Sequence, residues 1–391
     1  MKGSATGPRQ QRSRSPVGGA RRQSSQQNGK DPVSEHVCHR EVPHFRVVPG
    51  QLLGKSQRYH VRRLLGEGTF GRVLSCVDTV SRAAVAVKVV KGVRRYCDFA
   101  EAEAEVLREI SRCDPARQSH CVQLLDSFLH EKLHYCLVFE RLGVSLHEFM
   151  LKGCGRGLLA ADVQRIAQQL LQCLCFLHGL SLTHTDLKCR NVMLRDPRYD
   201  MVPLPRVKGA ETRKPRSSEV VVIDFGGALF AAERDDGKIG TRHYRAPEVI
   251  IGLPWDEKVD VWAAGCLIAL TYLGFRPVSA GEDFEQLALM ERLLGKDLPR
   301  PMARDALSRG TVSGGTMFNK AGRLEWPKRA PDEEAAKRVD SMLPLSEQIS
   351  SQHADLLELL TGLMHFDPKQ RLSAEAASEF AFAVEGAKVS E

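Results

Sequence analysis

The spacing of hydrophobic residues changes its period near residue 140. Apolar and polar residues alternate between residues 59 and 90, with turns between the runs, which is typical of antiparallel strands. Further strands are predicted around residues 122–128 and 135–139, and residues 98–110 have helical composition. From Asp162 apolar residues recur three and four positions apart, which predicts a long helix, and helices are predicted beyond residue 248. The pattern therefore predicts a small sheet lobe, a hinge at residues 140–143 and a larger helical lobe.

The first 46 residues differ from the rest in composition. They are rich in Ser, Gln, Gly and Arg and have almost no large apolar residues before Val33, so we predict a disordered basic tail at residues 1–46. Residues 1–30 hold seven Lys or Arg and no acid, so about +1 of the formal charge of +8 (8 − 7) belongs to the rest of the chain. The folded part is near neutral. With no aromatic residues interleaved in the tail, no direct nucleic-acid contact is expected. Its sequence RSRSP at residues 12–16 fits either a solvated tail or a nuclear-targeting arm.

Cysteine usage and hydrophobic run lengths restrict the class of protein. The 11 cysteines are odd in number, form no CxxC sequence and lie mostly in apolar runs, which favours reduced thiols over disulfides or a zinc site. The longest uncharged stretch, residues 261–275, is shorter than the roughly 20 residues that span a bilayer, so we predict a buried core helix. The N-terminus lacks the apolar core of a secretory signal. We expect a soluble protein that does not bind membranes.

The glycine-rich sequence GEGTFG at residues 66–71 lies between two predicted strands. Its glycines allow backbone amides to approach phosphate oxygens. Because a strand and not a helix follows, the sequence argues against a dinucleotide-binding fold. In the next strand Lys88 is the one cation of an apolar run and needs an anionic partner. Glu103 in the predicted helix is the candidate, with Glu101 and Glu105 as alternatives.

The octet HTDLKCRN at residues 184–191 places a carboxylate, an ammonium and an amide on one short loop. This is the chemistry that phosphoryl transfer needs: Asp186 would deprotonate a hydroxyl, Lys188 would offset charge on the phosphate, and Asn191 would hold a metal. Asp224, at the end of a short buried strand, would be a second magnesium ligand. Residues 192–219, with several Arg, Lys, Pro and Gly, are predicted to form a long irregular insert.

With the DFG sequence at residues 224–226 and APE at 246–248, the chain resembles a eukaryotic protein kinase over residues 59–382. The resemblance implies an α+β, two-lobed protein kinase fold. The small antiparallel-sheet N-lobe with one main helix would span residues 59–141, and the larger, mainly helical C-lobe residues 142–382. It also implies transfer of the γ-phosphoryl group of ATP, with Mg²⁺, to Ser or Thr of protein substrates, and it allows autophosphorylation on Tyr.

The resemblance assigns roles residue by residue. Asp186 would be the catalytic base, Lys188 would contact the γ-phosphate, and Asn191 and Asp224 would bind the metal. The ATP site would consist of Leu65, Gly66, Gly68, Gly71, Val73, Ala86, Lys88, Glu103, Phe139, Leu142 and Met193. The remaining assignments are Arg190, Thr241 and Arg245 near the substrate, and a structural ion pair between Glu248 and Arg371.

The octet also points to a subfamily. Thr185 stands where most kinases have the Arg that reads a phosphate on the activation loop, so we expect activity without that switch. HTD is similar to the LAMMER (Cdc-like) dual-specificity kinases of the CMGC group, whose signature helix EHLAMMERILG agrees with residues 285–295 at eight of eleven positions. The apolar spacing there also predicts a core-packing helix. The family implies Arg/Ser-rich splicing proteins as substrates and a nuclear location, with the cytoplasm also allowed; we expect a monomer.

Two departures and two alternatives accompany this assignment. The family has Pro-Glu where this chain has Cys189 and Arg190. Since many basophilic kinases use an acid at the second position to meet a substrate arginine, we hypothesise that Arg190 weakens the preference for arginine N-terminal to the target Ser, so that acidic or already phosphorylated neighbours are better tolerated. Cys189 is either a target for covalent ligands or a packed, inert thiol. A tyrosine-regulated dual-specificity kinase is disfavoured because no Tyr lies between Asp224 and Tyr244. An inactive scaffold is disfavoured because the base and metal positions are filled.

Overall fold

A six-stranded antiparallel sheet carries the glycine-rich sequence. In the computed structural model, which describes residues 44–235, 237–310, 317–380 and 382–384, the sheet order is β1-β2-β3-β4-β6-β5. The register places Lys88 opposite Val73 on one side and Leu137 on the other, so the ammonium projects from the middle of the sheet. The strands are β1 (Leu52–Leu53), β2 (Tyr59–Glu67), β3 (Gly71–Asp78), β4 (Ala84–Val90), β5 (Leu124–His130) and β6 (His134–Glu140).

The predicted tail lies outside the described residues except at its end. Phe45 is 6% exposed and belongs to the apolar core of the sheet lobe. Its carbonyl accepts a hydrogen bond of 2.9 Å from Arg72 Nη1, and His44 Nε2 lies 3.3 Å from Glu67. The predicted tail boundary at residue 46 is therefore too late, because Phe45 buries enough apolar surface to hold this segment on the sheet.

One long helix, α1 (Arg94–Cys113), packs on the sheet and exceeds the predicted range at both ends. Its buried face consists of Ala100, Glu103, Ala104, Leu107 and Ile110. Glu103 is the one charged residue on that face, and its burial requires a cationic partner. The sheet lobe ends with β6, and no regular element of the described chain occupies residues 141–145 at the predicted hinge.

The helical lobe is organised around helix α5 (Lys258–Leu273), which is buried along almost its whole length. This is the core helix predicted at residues 261–275; none of the described helices is long and apolar enough to cross a membrane. α5 ends at Gly274, whose φ is +85° and where a Cβ would lie 2.4 Å from Gly157 N. The helices are α2 (Leu146–Leu151), α3 (Ala160–Gly179), α4 (Pro247–Ile250), α5 (Lys258–Leu273), α6 (Asp283–Leu294), α7 (Arg300–Ser308), α8 (Glu333–Asp340), α9 (Leu345–Gln348), α10 (Ala354–Leu363) and α11 (Ala374–Ser378).

Short two-stranded ladders position the loops between the lobes. β8 pairs with β11 and β7 with β12, which brings the octet beside the strand that leads to Asp224. The octet itself ends in the 3-10 turn Cys189–Asn191. These strands are β7 (Leu182–Thr183), β8 (Val192–Leu194), β9 (Tyr199–Pro203), β10 (Glu211–Pro215), β11 (Val220–Val222) and β12 (Leu229–Phe230).

The insert is ordered, so the prediction of an irregular segment at residues 192–219 is wrong. β9 and β10 pair antiparallel as a hairpin, in register from Tyr199 with Pro215 to Pro203 with Glu211. The two prolines stand at strand ends, where a missing N–H is tolerated. Because these residues have low strand propensity, tertiary contacts must stabilise the hairpin. The Arg213 guanidinium lies 4.1 Å from the Tyr199 ring centre, and Thr212 Oγ1 donates to Gly157 O at 2.7 Å.

Candidate active site

Lys88 is held between two carboxylates. Its Nζ lies 3.0 and 2.8 Å from the two oxygens of Glu103 and 3.2 Å from Oδ1 of Asp224. Burial opposes the charge on Lys88, but the two carboxylates outweigh it and raise its pKa, so the ammonium is charged at neutral pH. The structure thus selects Glu103 among the three acids left open by the sequence, since Glu101 and Glu105 are exposed on the far side of α1.

Asp224 sits in a conformation that only its surroundings can maintain. Its φ of +67° lies in the left-handed region, which is costly for a residue other than glycine. Burial would raise the pKa of its carboxyl group, but the charge and hydrogen bond of Lys88 lower the pKa overall. Gly226 leaves room for the carboxylate of Glu103, because a Cβ at residue 226 would lie 3.3 Å from Oε2 of Glu103. Asp224 is therefore ionised and fixed next to Lys88.

Asp186 is joined to both Lys188 and Thr241. Its Oδ1 accepts hydrogen bonds from the Thr241 amide at 3.0 Å and the Thr241 hydroxyl at 2.7 Å, while Oδ2 accepts from Lys188 Nζ. Lys188 Nζ also donates to Thr241 Oγ1 at 3.0 Å. The Asp186 side chain keeps 31% of its surface exposed, so a substrate hydroxyl can reach it. A carboxylate with a cation beside it and solvent access is suited to accept a proton.

Asn191 is oriented by its own hydrogen bond. Its Nδ2 donates to the carbonyl oxygen of Asp186 at 2.9 Å, which leaves Oδ1 as the free acceptor. Together with the carboxylate of Asp224, it offers hard oxygen donors of the kind that Mg²⁺ prefers. No group of three or more His, Cys, Asp or Glu among the described residues could hold a metal.

A buried acid below the octet is absent from the residues predicted from the sequence. Asp260 on α5 is 1% exposed and accepts hydrogen bonds from the amides of His184 at 2.7 Å and Thr185 at 2.9 Å. His178 Nε2 lies 3.3 Å from the same carboxylate. The Thr185 hydroxyl donates to Gly227 O at 2.8 Å, which ties the octet to the segment after Asp224. The sequence does contain a signal for Asp260, because it is a lone acid at the start of a long apolar run. A buried charge in such a run needs a partner, as was argued for Lys88.

Four of the residues expected around a nucleotide lie on strands of the sheet that carries Lys88, and two lie outside it. Ala86 pairs with Phe139 in the β4–β6 ladder, and both are half-buried. Leu65 on β2, Val73 on β3 and Met193 on β8 are also half-buried, and Leu142 after β6 is buried. The ladders place the side chains of Val73, Ala86 and Phe139 on the same face of the sheet as the ammonium, and such an apolar face suits a planar heterocycle. Adenine binding by this set remains a prediction.

The three glycines of the turn have different roles. A Cβ at Gly71 would lie 2.3 Å from Val89 O, so only glycine fits between β3 and β4. Gly66 and Gly68 have no atom within 4 Å of a Cβ position, so their backbone stays open to a ligand.

Glu248 and Arg371 form a fully buried bidentate pair, with Nη1–Oε1 and Nη2–Oε2 distances of 2.7 and 2.8 Å. Their side chains are 1% and 0% exposed. Arg371 also donates to the carbonyl oxygens of Lys258, His365 and Phe366, so its remaining N–H groups are satisfied. The pair therefore links α4 to the start of α5 and to the segment before α11.

The remaining predicted residues lie around the octet. Cys189 is 2% exposed, and burial raises the pKa of its thiol to about 11, so it is packed and inert. Arg245 donates to the carbonyl oxygens of Ile239 and Gly240 at 2.9 and 2.8 Å, and thereby fixes the backbone before Thr241. Arg190 is exposed. Every described cysteine is free, as the sequence indicated.

Comparisons with known proteins all identify protein kinases as similar to this chain. A family model described as a protein kinase domain matches residues 59–383. The serine/threonine-protein kinase AFC2 of Arabidopsis thaliana is 37% identical over 337 residues, which cover 83% of this chain and 76% of AFC2. The dual specificity protein kinase CLK1 of Homo sapiens is 35% identical over 347 residues, covering 88% and 69%. The crystal structure of a kinase domain matches with a TM-score of 0.81 at 33% identity, over 87% of this chain and 99% of that one.

Proposed function

Because this chain belongs to the protein kinase family, and within it to the LAMMER (Cdc-like) dual-specificity kinases, we propose that the octet and Asp224 form its phosphoryl-transfer centre. The two-lobed kinase fold expected from the sequence is confirmed by the family model and the solved kinase domain. The chain is a serine/threonine protein kinase of the dual-specificity type. As a protein kinase it uses ATP and a divalent cation.

The observation that carries the assignment of the base is the environment of Asp186. Its carboxylate is accessible and is held by Thr241 and Lys188. The substrate hydroxyl oxygen attacks the γ-phosphorus, its proton passes to Asp186, and the bond between the γ-phosphorus and the β-phosphate oxygen breaks to release ADP. Lys188 stabilises negative charge on the transferred group, because its ammonium lies beside the base.

Asn191 Oδ1 and the carboxylate of Asp224 would hold Mg²⁺, which when bound neutralises charge on the phosphates. Lys88 would hold the α- and β-phosphates, kept in place by Glu103. The backbone amides near Gly66 and Gly68 would cover the phosphates, since their surroundings are open. A set of apolar side chains would hold the adenine. Its members are Leu65, Val73, Ala86, Phe139, Leu142 and Met193.

Arg/Ser-rich splicing proteins are the proposed substrates, and the nucleus is the proposed site of action. Both come from the resemblance to the LAMMER kinases, with the RSRSP sequence of residues 12–16 in support. The protein is proposed to act as a monomer. Activity without a phosphorylated activation loop is supported by Thr185, whose hydroxyl binds Gly227 directly.

The test is transfer of the γ-phosphate from Mg-ATP to an arginine-serine repeat peptide and to an acidic serine peptide. Asp186→Asn should abolish transfer to both peptides while nucleotide binding, followed by the thermal shift on adding ATP, is retained. Asp200→Asn, an exposed aspartate of the β9–β10 hairpin, is the matched control and should transfer like the wild type.

The outcomes separate the parts of this proposal. Transfer by Asp186→Asn at the wild-type rate would remove Asp186 as the base. Transfer to the acidic peptide alone would keep the kinase and remove the splicing-factor substrates. No transfer by the wild type, with ATP still bound, would favour a scaffold.

A further inference from the structure

One carboxylate at the start of α6 gathers three basic side chains from a single loop segment. Asp283 is the first residue of α6, and its side chain is 15% exposed. Its Oδ2 forms an ion pair with Lys238 Nζ. Its Oδ1 lies 3.6 Å from Arg245 Nη1 and 4.0 Å from Arg242 Nε. Residues 238–245, which carry all three cations, are called the clamped segment below.

Two hydrogen bonds hold Arg242 at the same end of α6. Its Nη1 donates to the carbonyl oxygen of Gly281, and its own carbonyl oxygen accepts from Gln286 Nε2. Gln286 is fully buried, so this contact comes from a well-packed part of the helix. The amide of Gly281 donates in turn to Glu285 at 2.9 Å. The start of α6 therefore fixes the direction of the clamped segment as well as its distance.

Arg245 carries the contact from Asp283 to the backbone of the clamped segment. Its Nε donates to the carbonyl oxygen of Ile239 at 2.9 Å, and its Nη2 donates to that of Gly240 at 2.8 Å. Gly240 has a φ of +74°, and a Cβ there would lie 3.0 Å from the carbonyl oxygen of Thr185. The backbone that Arg245 holds thus passes directly beside the octet.

The clamped segment reaches the base through Thr241. The amide and the hydroxyl of Thr241 donate to Oδ1 of Asp186 at 3.0 and 2.7 Å. In the chain, Thr241 stands between Gly240, which Arg245 holds, and Arg242, which α6 holds. A displacement of the segment from α6 would therefore move Thr241 away from the base.

The carboxylate is what allows the three cations to lie together. Within the part of the chain that the structure describes, Asp283 is the acid at ion-pair distance from Lys238, Arg242 and Arg245. Without it the like charges would repel one another. Lys238 and Arg242 are exposed, so solvent screens their share, whereas the side chain of Arg245 is 14% exposed. The contact with Arg245 should therefore contribute most.

We propose that Asp283 is a positioning residue for phosphoryl transfer: its carboxylate clamps residues 238–245 to α6 in the conformation that presents Thr241 to Asp186. The inference rests on the proposed function, because the position of Thr241 matters to transfer only where Asp186 acts as the base. Loss of the clamp affects the transfer step and the peptide, and it spares the nucleotide, whose expected contacts lie elsewhere.

The first measurement is steady-state transfer from Mg-ATP to the arginine-serine repeat peptide and to a serine peptide flanked by alanine. Asp283→Asn keeps the shape of the side chain and removes its charge. For both peptides kcat/KM should fall about tenfold, the scale of a charge-assisted contact, while the KM for ATP and the Tm stay at their wild-type values. Glu282→Gln removes one charge from the exposed neighbouring residue and should behave like the wild type.

Three results of this measurement would overturn the clamp. The first is an equal loss in Glu282→Gln, which would indicate a general effect of charge. The second is a loss confined to the arginine-serine peptide, which would indicate that Asp283 contacts the substrate directly. The third is wild-type transfer by Asp283→Asn.

Chemical rescue supplies the second arm. Asp283 lines a cavity of about 440 Å³ together with Arg242, Phe284 and Met317, so a small anion can reach the place of its carboxylate. Asp283→Ala should be as impaired as Asp283→Asn. Formate should then raise its kcat/KM several-fold, and chloride at the same ionic strength should not. Equal effects of formate and chloride would contradict a carboxylate clamp.

Amide hydrogen exchange tests the clamp without relying on catalysis. The amide of Thr241, which is bound to Asp186, should exchange several-fold faster in Asp283→Asn than in the wild type, while α5 keeps its protection. Unchanged exchange of residues 238–245 overturns the clamp and leaves the kinase assignment intact. Failure of the wild type to phosphorylate either peptide overturns the proposed function, and the exchange rates then still decide whether Asp283 holds the segment.

Discussion

The amide of Thr185 donates a hydrogen bond of 2.9 Å to Oδ1 of Asp260, and Thr185 holds this position with a φ of +68°. A left-handed φ costs a β-branched residue about 1–3 kcal/mol, so the loop adopts it only because the buried carboxylate stabilises it. The other oxygen of Asp260 accepts the amide of His184 at 2.7 Å. A carboxylate on the central helix of the C-lobe therefore sets the backbone that presents the base.

Asp260→Asn should impair catalysis more than nucleotide binding. The amide replaces one acceptor oxygen with a donor, so one loop amide loses its partner and the position of Asp186 is relaxed. We expect kcat to fall by about tenfold or more, with a lower Tm, because a buried unsatisfied group costs about 1–3 kcal/mol. The control is Glu257→Gln at the start of the same helix, whose carboxylate is partly exposed and which should stay near wild type. An unchanged kcat in Asp260→Asn would show that the loop keeps its shape without this contact.

Gly71→Ala and Gly68→Ala should separate stability from nucleotide binding. A methyl group at Gly71 meets Val89 O at 2.3 Å and must push β3 from β4, so the Tm should fall. At Gly68 nothing lies within 4 Å, so the Tm should be unchanged while the KM for ATP rises. Thermal unfolding and ATP titration of both variants decide the matter, and equal Tm values would contradict the close approach at Gly71.

Removing one partner of the buried Glu248–Arg371 pair should strongly lower the free energy of unfolding. Arg371→Met leaves a buried carboxylate unpaired, which costs about 3–5 kcal/mol of the free energy of unfolding. Glu248→Gln combined with Arg371→Met should be less destabilising than the two single changes added together. Arg309→Met, which breaks the exposed pair with Asp305, should cost about 0.5 kcal/mol or less. Urea unfolding provides the comparison, and additivity in the double variant would exclude direct coupling.

Glu291 on α6 should give a pH-dependent loss of stability. Burial raises the pKa of its carboxyl group to about 7, whereas an unfolded glutamic acid titrates near 4.3. At pH values between these two pKa values, Glu291 has released its proton in the unfolded chain but keeps it in the folded chain. The free energy of unfolding therefore falls as the pH rises, and this loss of stability is complete above about pH 7.

Glu291→Gln removes this loss and can keep the acceptor for the Leu298 amide, now 2.8 Å from Oε1. Relative to that variant, the wild type should lose about 1–3 kcal/mol between pH 5 and pH 8 in urea titrations. Glu282→Gln, an exposed acid before the same helix, should follow the wild type. A pH-independent difference between wild type and Glu291→Gln would refute the raised pKa.

Much of the site could be predicted because its parts are local in sequence. The octet, the glycine-rich turn and the lone cation of β4 each carry a chemical pattern within a few residues. Lys88 needs an anionic partner, and of the three candidate acids Glu101, Glu103 and Glu105 only Glu103 lies on the buried face of α1. Choosing among those acids needs the rotation of the helix on the sheet, which the spacing alone did not give.

The rest depends on contacts distant in sequence. Asp260 lies 75 residues from Thr185, and no short pattern links them. The β9–β10 hairpin is stabilised by Arg213 on Tyr199 and by Thr212 on Gly157, so its charged and proline-containing strands resemble a loop when read without those partners.

The bond from the Thr185 hydroxyl to Gly227 has a consequence for control. Where a phosphate must be added before the activation loop is anchored, a phosphatase can switch the enzyme off at that residue. Here the anchor is part of the polypeptide and is present as soon as the chain has folded. If the enzyme is active without this phosphate, as proposed, we expect a cell to limit its output in other ways: by synthesis and degradation, by keeping it away from its targets, or by the supply of substrates.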